Sequence, residues 1–464
     1  MLLEITIASD LSFQKYGLSQ GIVRSISERF TYENPVYIKN ERLGKRNFGV
    51  PRFIELLSES PDSYHLPRGC IGQLSELLDI SGTDKSTQNH VEYPVPSLTL
   101  RDYQQTALNA MLASNQGILV APCGSGKTEI GCALILGRRQ KSLILVHTMD
   151  LMQQWVERIS TRLNVEPGII GSGQWNDTKP VTIGTVQSLR NGLDAAFLNQ
   201  FGLVILDEAH HSPARTFSEI INHFPAKYRH GLSATPNRAD KLDFLMYAAF
   251  GRTLHEIKDA DMDEGQTITP SIRVLETGSY FPQIDSYDQM LSCLFMDETR
   301  NSLIVENISK DAMNGHSCLG LSQRISHLQT LSKMLSERFP SVKAAIITGK
   351  ESPSFRNQAL DRMRSGELQV LFSCKLADEG LDIPRLDRLF LCAPIRSSSR
   401  LIQQIGRIKR PFPGKQDAVV YDFLDDCISL AKSQFYTRSG VYKSQNIPIE
   451  KAISYGYRDF RKAV

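Results

Sequence analysis

From Leu98 onward, short apolar runs alternate with longer stretches in which apolar residues return with helical spacing. The runs are Gly117–Pro122, Ser142–His147, Val181–Val186, Phe201–Asp207 and His230–Thr235. Unbroken apolar runs suit strands covered on both faces, and the stretches between them suit helices. Strand and helix in alternation predict βαβ units and a parallel sheet. The pattern lapses at the polar stretch Lys258–Thr267, with Pro270 and Pro282 close behind. A second series follows: Cys318–Ser322, Ala344–Thr348, Leu368–Ser373, Asp387–Cys392 and Ala418–Phe423. The simplest reading is two α/β lobes joined by a linker, with no sequence repeat between them.

The beginning of the chain has a different texture. Met1–Asp10 alternates like a strand, while Ser81–His90 is polar and leads to Pro94 and Pro96. That composition predicts a linker. The chain therefore divides into a small accessory block (1–96), two lobes (97–262 and 263–426) and a short basic tail (427–464).

Composition narrows the choice of function. At 464 residues, 41% hydrophobic and 22% charged, the chain has material for about three ordinary domains. Its net charge is only +3, so a nucleic-acid surface has to be local. Eight cysteines are scattered without a CxxC pair, which predicts neither a zinc site nor a disulfide framework. The first residues lack a signal peptide's basic flank and apolar core, and no apolar run reaches membrane-spanning length. A soluble chain of the cytoplasm or nucleoid is expected.

Candidate chemistry begins at Ala121-Pro122-Cys123-Gly124-Ser125-Gly126-Lys127-Thr128, between a predicted strand and the helix-compatible Glu129–Leu136. Strand, glycine loop and helix form the context of a P-loop. The glycines let backbone N–H groups approach phosphates, and the helix N-terminus adds partial positive charge. Lys127 is expected to reach the β/γ-phosphates and the Thr128 hydroxyl to hold Mg²⁺. Ala121 stands where the general GxxxxGK[ST] pattern has glycine.

Phe201–Leu206 reads as a buried strand ending in Asp207-Glu208-Ala209-His210. Ligands of open α/β sheets bind at the carboxyl ends of strands. Asp207 is expected to hold Mg²⁺, mostly through its water shell, and Glu208 to orient and deprotonate a water. In Leu401–Arg410, Leu401, Ile402, Ile405 and Ile408 share one helical face. Arg400, Gln403, Arg407 and Arg410 share the other, and Pro411 ends the segment. Alone, such a helix reads as a solvated basic face. Beside a P-loop and a carboxylate pair it reads as a source of arginine fingers.

Motifs in this order resemble a superfamily 2 helicase, most of all the XPB-like and phage branch-migration branch. The resemblance runs from about Leu98 to Asp426. It implies two RecA-like parallel-sheet lobes in tandem with a small N-terminal α+β accessory domain, using ATP and Mg²⁺. Leu100–Gln105 resembles the adenine-sensing Q motif, which implies Gln104, beside Arg101, as a nucleotide contact. Ala121–Thr128 is motif I in the form where alanine at the first position is usual, so Ala121, Pro122, Cys123, Gly124, Ser125 and Gly126 would line the phosphates. Leu145–Trp155 resembles motif Ia and Ile183–Leu189 motif Ic, which implies His147, Thr148 and Thr185 as nucleic-acid contacts.

Asp207–His210 is motif II. Gly231–Pro236 resembles motif III, in which Ser233 and Thr235, with His210, would couple hydrolysis to lobe movement. The stretch at Gln323 and Arg324 takes the place of motif IV, with Arg324 a candidate nucleic-acid contact. Cys374–Pro384 resembles motif V, with Gly380 and Asp382 near the nucleotide. Gln403–Arg410 contains motif VI, QxxGRxxR, which puts Gln403, Arg407 and Arg410 at the reacting phosphate.

The resemblance also bears on the substrate. The chain stops soon after motif VI, where DEAH-type RNA helicases carry long extensions. The LRDYQ form of the Q motif and the N-terminal block are closer to the DNA-acting branch. The expected partner is therefore DNA, branched or forked, bound by a monomer with 3′ to 5′ polarity. Remodelling of branched DNA leads the candidate functions; an XPB-like duplex opener and an RNA helicase stand behind it. Intact Lys127, Thr128, Asp207, Glu208, Arg407 and Arg410 argue against a non-hydrolysing clamp. GLSATP and QxxGRxxR argue against a P-loop transporter or kinase subunit. Asn34–Gly49 interleaves Lys39, Arg42, Lys45 and Arg46 with Tyr37 and Phe48. It reads either as a grip on duplex DNA near a junction or as the solvated basic face of a structural domain.

Overall fold

A computed structural model describes residues 2–122, 124–190, 193–208, 214–234, 241–262, 268–281, 283–284, 286–349, 351–374, 383–450 and 453–454. The chain forms two compact units, 1–261 and 262–464. The first unit opens with β1 (Leu2–Ile7), β2 (Asp10–Gln14), β3 (Thr31–Glu33), β4 (Phe53–Glu55), β5 (Ser58–Glu59), β6 (Ser63–Pro67) and β7 (Asp79–Asp84). Strands β5-β6-β2-β1-β7 make one sheet, and β3 and β4 pair separately. Only β1 and β7 run parallel within that sheet.

The same unit continues with β8 (Gln116–Val120), β9 (Ser142–Val146), β10 (Gly168–Gly171), β11 (Gln174–Trp175), β12 (Val181–Thr185), β13 (Leu203–Asp207), β14 (Tyr228–Ser233) and β15 (Thr253–Glu256). These lie in the order β11-β10-β12-β9-β13-β14-β8-β15, all parallel except the β10–β11 pair. Every residue of β9, β12 and β13 is buried, because helices cover both faces. The unbroken apolar runs of the sequence are these strands.

In the second unit, β16 (Ser271–Glu276), β17 (Cys318–Leu321), β18 (Ala344–Ile347), β19 (Val370–Ser373), β20 (Arg388–Leu391), β21 (Val419–Leu424) and β22 (Ile453–Ser454) form one parallel sheet, β18-β19-β17-β20-β21-β16-β22. Two apolar clusters lie on it, one around Leu371, Leu389 and Val420, the other around Phe372, Phe390 and Tyr421. Neighbours along a strand point to opposite faces, which is why consecutive residues fall into different clusters. Among the described residues no helix is long and apolar enough to cross a membrane.

Two expectations about connecting segments change. Ser81–Asp84 of the predicted linker belong to β7. The rest is a strap along the first lobe: Thr87 N donates to Pro225 O, Val91 N to Arg139 O and Ser97 N to Arg162 O. Asn89 binds Gln140 and Gln200, so polar side chains that suggested freedom are spent on fixing the strap. The predicted basic tail instead contains a helix, Ser429–Ser444, whose Val441 and Tyr442 enter the second lobe's core. Its Arg438 is buried in a two-pronged ion pair with Asp422, which also accepts from the Tyr442 hydroxyl.

Two buried arginines clasp the N-terminal sheet to the first lobe. Arg68, 3% exposed, donates to the Ala226 carbonyl at 2.7 Å and the Lys227 carbonyl at 2.5 Å. In return Arg229, fully buried, donates to the Ser9 carbonyl at 2.6 Å and to that of Phe224. Burial pulls the Arg68 guanidinium down to about 10, which still leaves it charged at neutral pH. Arg68→Ala strips donors from two carbonyls at an apolar joint. Urea unfolding is expected to show a loss of about 3 kcal/mol, partly restored by Arg68→Lys. An unchanged midpoint would mean that other contacts hold the sheet.

Candidate active site

The carboxyl ends of β8, β13 and β14 lie side by side, and each runs into a segment singled out by the sequence. After β8 comes the glycine loop, followed by the helix Lys127–Arg138. Gly124 and Gly126 hold left-handed φ values of +88° and +81°, a region that an L side chain enters at a cost. Space also forbids a side chain at Gly126: its Cβ would stand 2.3 Å from Gln104 Nε2. The loop thus presents bare backbone at a helix N-terminus, the geometry that receives phosphate.

The helix Asp102–Leu112 secures the loop from outside. Gln104 is buried; its Nε2 donates to the Ser125 carbonyl at 2.9 Å and its Oε1 accepts from Arg101 N at 3.0 Å. The Tyr103 hydroxyl donates to the same carbonyl at 3.0 Å. Gln104, expected at the adenine, here turns its amide to the phosphate loop. Arg101 is exposed at the start of the helix. Tyr103 is the tyrosine of the LRDYQ form of the Q motif, though no contact was expected of it from the sequence.

Lys127 Nζ donates to the Ala121 carbonyl at 3.0 Å and lies 3.8 Å from Glu208 Oε1. Glu208 follows β13 with a left-handed φ of +52°, unusual for a residue with a side chain. Held strain of this kind gathers at functional sites. Asp207 is buried at the end of β13. Its Oδ2 accepts from Trp155 Nε1 at 2.8 Å and its Oδ1 from Glu208 N at 2.9 Å. Burial, and then the Glu208 charge, push the Asp207 carboxyl up to about 6; Trp155 and Lys127 pull the other way. Trp155, 1% exposed on the helix Met149–Leu163, ends the stretch that resembles motif Ia, and the sequence reading gave it no role of its own.

These residues fit a magnesium nucleotide. Bare backbone in the glycine loop, Lys127, the Thr128 hydroxyl and a strand-end carboxylate are the donor set for polyphosphate and a hard cation. Among the described residues no group of three or more His, Cys, Asp or Glu side chains could hold a metal by itself. Asp207 and Thr128 are the residues that would hold a cation here, with phosphate and water supplying its other oxygens.

Neighbouring strand ends carry the remaining motifs. Ser233 closes β14, and its carbonyl accepts from Ala121 N at 2.9 Å, which ties motif III to motif I. His147 and Thr148 follow β9, and Thr185 ends β12, the strand paired with it. Gln187 Nε2 donates to the His147 carbonyl, joining motifs Ia and Ic. The hydroxyls of Thr148 and Thr185 accept from Leu151 N and Ser188 N, so both serve local caps, and Thr185 is buried.

In the second unit the motif VI helix spans Ser398–Ile408. Leu401, Ile405 and Ile408 are buried as predicted. Gln403, expected on the polar face, is buried too, and Arg410 lies past the helix end. Lys415, which no motif marked, donates to the carbonyls of Leu386, Ile408 and Arg410 at 2.6–2.7 Å and so closes the end of this helix. Arg324 donates to Ser292 Oγ at 2.9 Å and sits over the Phe295 ring. Cys123, His210, Thr235, Gly380 and Asp382 lie outside the described residues.

Residues 97–238 match the family described as "Type III restriction enzyme, res subunit", and residues 299–411 match "Helicase conserved C-terminal domain". A DNA 3′-5′ translocase XPB2 of Sulfurisphaera tokodaii is 28% identical over 349 residues, 68% of this chain and 79% of that one. The chain belongs to the superfamily 2 helicases. An Acanthamoeba polyphaga mimivirus protein with an ATP-dependent RNA helicase name is 28% identical to this helicase over 440 residues, 90% of this chain and 79% of that one. S. cerevisiae Dbp5, solved with RNA and ADP BeF3, shares the fold at 15% identity. Its TM-score is 0.57 over 78% of this chain and 91% of that one. The helicase is ATP-dependent, and its two sheets are the tandem RecA-like lobes of the family.

The raised Asp207 carboxyl has a consequence for stability. A carboxyl at about 6 in the folded chain and near 4 in the unfolded one binds more protons when folded between those values. Stability from this group therefore falls as pH rises from about 4 to about 6. Without Mg²⁺, the native chain is expected to lose about 3 kcal/mol relative to Asp207→Asn between pH 4 and pH 8. Thermal unfolding at the two pH values reads this directly; a difference independent of pH would contradict it.

Proposed function

We propose that this helicase is a DNA motor that remodels branched or forked DNA, with ATP hydrolysis at the site around Lys127 and Asp207. The observation carrying the DNA reading is a local basic surface on an otherwise near-neutral chain. Lys39, Arg42, Lys45 and Arg46 are all exposed, and among the described residues none has an acidic partner. The XPB2 relative, named as a DNA translocase, supports the same choice. Contacts of this kind go to phosphates, so binding is independent of sequence and weakens with salt.

ATP bound with Mg²⁺ supplies the free energy of the cycle. Lys127 and the loop amides bind its phosphates, while Thr128 and Asp207 hold the cation. Trp155 fixes the Asp207 carboxylate in place and lowers the cost of its charge. Glu208 receives the proton of the attacking water at its carboxylate. Arg407 on the motif VI helix and Arg410 just past its end stabilise negative charge on the transferred group, with Gln403 on the same helix. Ser233, bonded through its carbonyl to the glycine loop, couples the phosphate end to β14. The name of the mimivirus relative favours a second reading, an RNA helicase.

Lys127→Ala, Glu208→Gln and Arg407→Ala are each expected to lower kcat at least 100-fold, while Glu208→Gln still binds nucleotide and DNA. An active Glu208→Gln enzyme would remove Glu208 from the base role. ATPase rates with no nucleic acid, single-stranded DNA, blunt duplex, a four-way junction and RNA test the substrate. Strongest stimulation by the junction is expected; stimulation by RNA alone would overturn the DNA reading. Replacing Lys39, Arg42, Lys45 and Arg46 together by Ala is expected to weaken fork binding at fixed salt at least tenfold, roughly equally for all sequences. Unchanged affinity would reduce that surface to a solvated face.

A further inference from the structure

Between β3 and β4 the chain makes an excursion, residues 34–52, that contributes no buried apolar residue to a core cluster. Its root is firm. Asn34 is buried, accepts from Val36 N and donates to the Pro51 carbonyl, so one side chain closes the neck. Tyr32 in β3 stacks on Phe244, with ring centroids 4.3 Å apart and an interplanar angle of 12°. Ile54 and Leu56 pack against the first lobe's core. Phe244 belongs to the helix Asp243–Phe250, the first described element after motif III. The root therefore rests on the helicase lobe itself.

The tip is built differently. After the helix Pro35–Arg42 the chain turns at Gly44 and Gly49, both with left-handed φ, +63° and +70°. Between them the loop holds its form through Lys45 N to the Asn40 carbonyl and Asn47 Nδ2 to the Tyr37 carbonyl. It presents Phe48, fully exposed at 100%, and Leu43, more than half exposed. Among the described residues no large hydrophobic side chain is more exposed than Phe48; an isolated exposed apolar residue is ordinary, and what singles out this one is the basic stretch that carries it. Residues 34–52 carry Lys39, Arg42, Lys45, Arg46 and Arg52 against a single acid, Glu41. That net charge of +4 exceeds the +3 of the whole chain.

We infer that Phe48 is a stacking residue that caps the last base pair where duplex DNA opens at a fork, while the surrounding cations hold the phosphates of both strands. Charge and chemistry favour this occupant. A protein partner for so basic a tip would leave Phe48 against acidic side chains, whereas a base pair at an opening presents a π-face ringed by phosphates. Stacking of a base on an aromatic ring is independent of sequence, as a motor requires. The cations give affinity for any duplex, and Phe48 adds preference for a place where the stack is interrupted. The inference rests on the branched-DNA reading above and assigns it a specific contact.

The test compares the full-length chain with Phe48→Ala and Phe48→Trp, at fixed salt, on two DNAs of equal length. One is an open fork; the other is a duplex closed at both ends by hairpin loops, with 2-aminopurine at the matching position in each. The native chain is expected to prefer the fork and to change 2-aminopurine emission at the opening. Phe48→Ala is expected to lose roughly tenfold in fork affinity, with little change on the closed duplex, and to abolish the emission change. Phe48→Trp, which keeps the ring, is expected to retain both. If Phe48→Ala keeps the fork preference and the emission change, the stacking role is wrong while the branched-DNA reading stands. If the native chain itself shows no fork preference, the branched-DNA reading fails and the stacking role falls with it.

Discussion

A single buried hydrogen bond, from the Trp155 indole to the Asp207 carboxylate, is the constraint on which the site depends. A carboxylate at the end of a wholly buried strand is costly to charge, and its lifted proton affinity measures that cost. Yet a hard cation needs the charged form, aimed in one direction. The indole donor, the Glu208 amide and the nearby Lys127 together keep the carboxylate oriented and partly compensated. Trp155 is placed by the helix Met149–Leu163, and its ring also comes within 2.6 Å of where a Cβ on Gly131 would stand. One side chain thus spaces the motif Ia helix, the P-loop helix and the end of β13.

The rest of the first lobe follows from gathering strand ends. Parallel order puts motifs I, II, III, Ia and Ic on one edge, where backbone donors and dipoles point outward. Links between them are short and end on backbone carbonyls: Ala121 N donates to the Ser233 carbonyl, and the Gln187 side chain to the His147 carbonyl. Backbone links are indifferent to side-chain drift, which suits an edge that has to keep its spacing while loops change. The N-terminal sheet joins this body through Arg68 and Arg229, each bonded to carbonyls across the joint. Its basic excursion is thereby carried by the lobe that holds the glycine loop.

Much of this was legible in the residues. Apolar runs found five strands in each lobe, because parallel sheets are covered on two faces and leave no polar alternation to mislead, but missed β10, β15 and β16. The glycine loop and the Asp207–Glu208 pair were legible because their chemistry fixes residue types at fixed spacing. What escaped was whatever depends on a partner far along the chain. Polar Thr87 and Asn89 looked like linker but are bonded to residues more than a hundred positions away. The last helix looked like tail because Arg438 is basic, though its charge is buried on Asp422. Gln403 fell on the polar face of a helical wheel, yet is buried, since a wheel cannot register neighbours on a third side. Trp155 and Lys415 act through contacts that no local pattern announces.

The most direct test of this account uses its own reporter. The chain has two tryptophans, Trp155 and Trp175, and Trp175 is 47% exposed on β11. With Trp175→Phe in place, Trp155 emission is followed while Mg²⁺ and a non-hydrolysable ATP analogue are titrated in, separately and together. If the indole holds the cation-binding carboxylate, emission changes saturably with the two together, and the change disappears in Lys127→Ala. Nucleotide binding seen by calorimetry with no change in Trp155 emission would contradict the central claim that Trp155 and Asp207 form the metal-facing corner of the site.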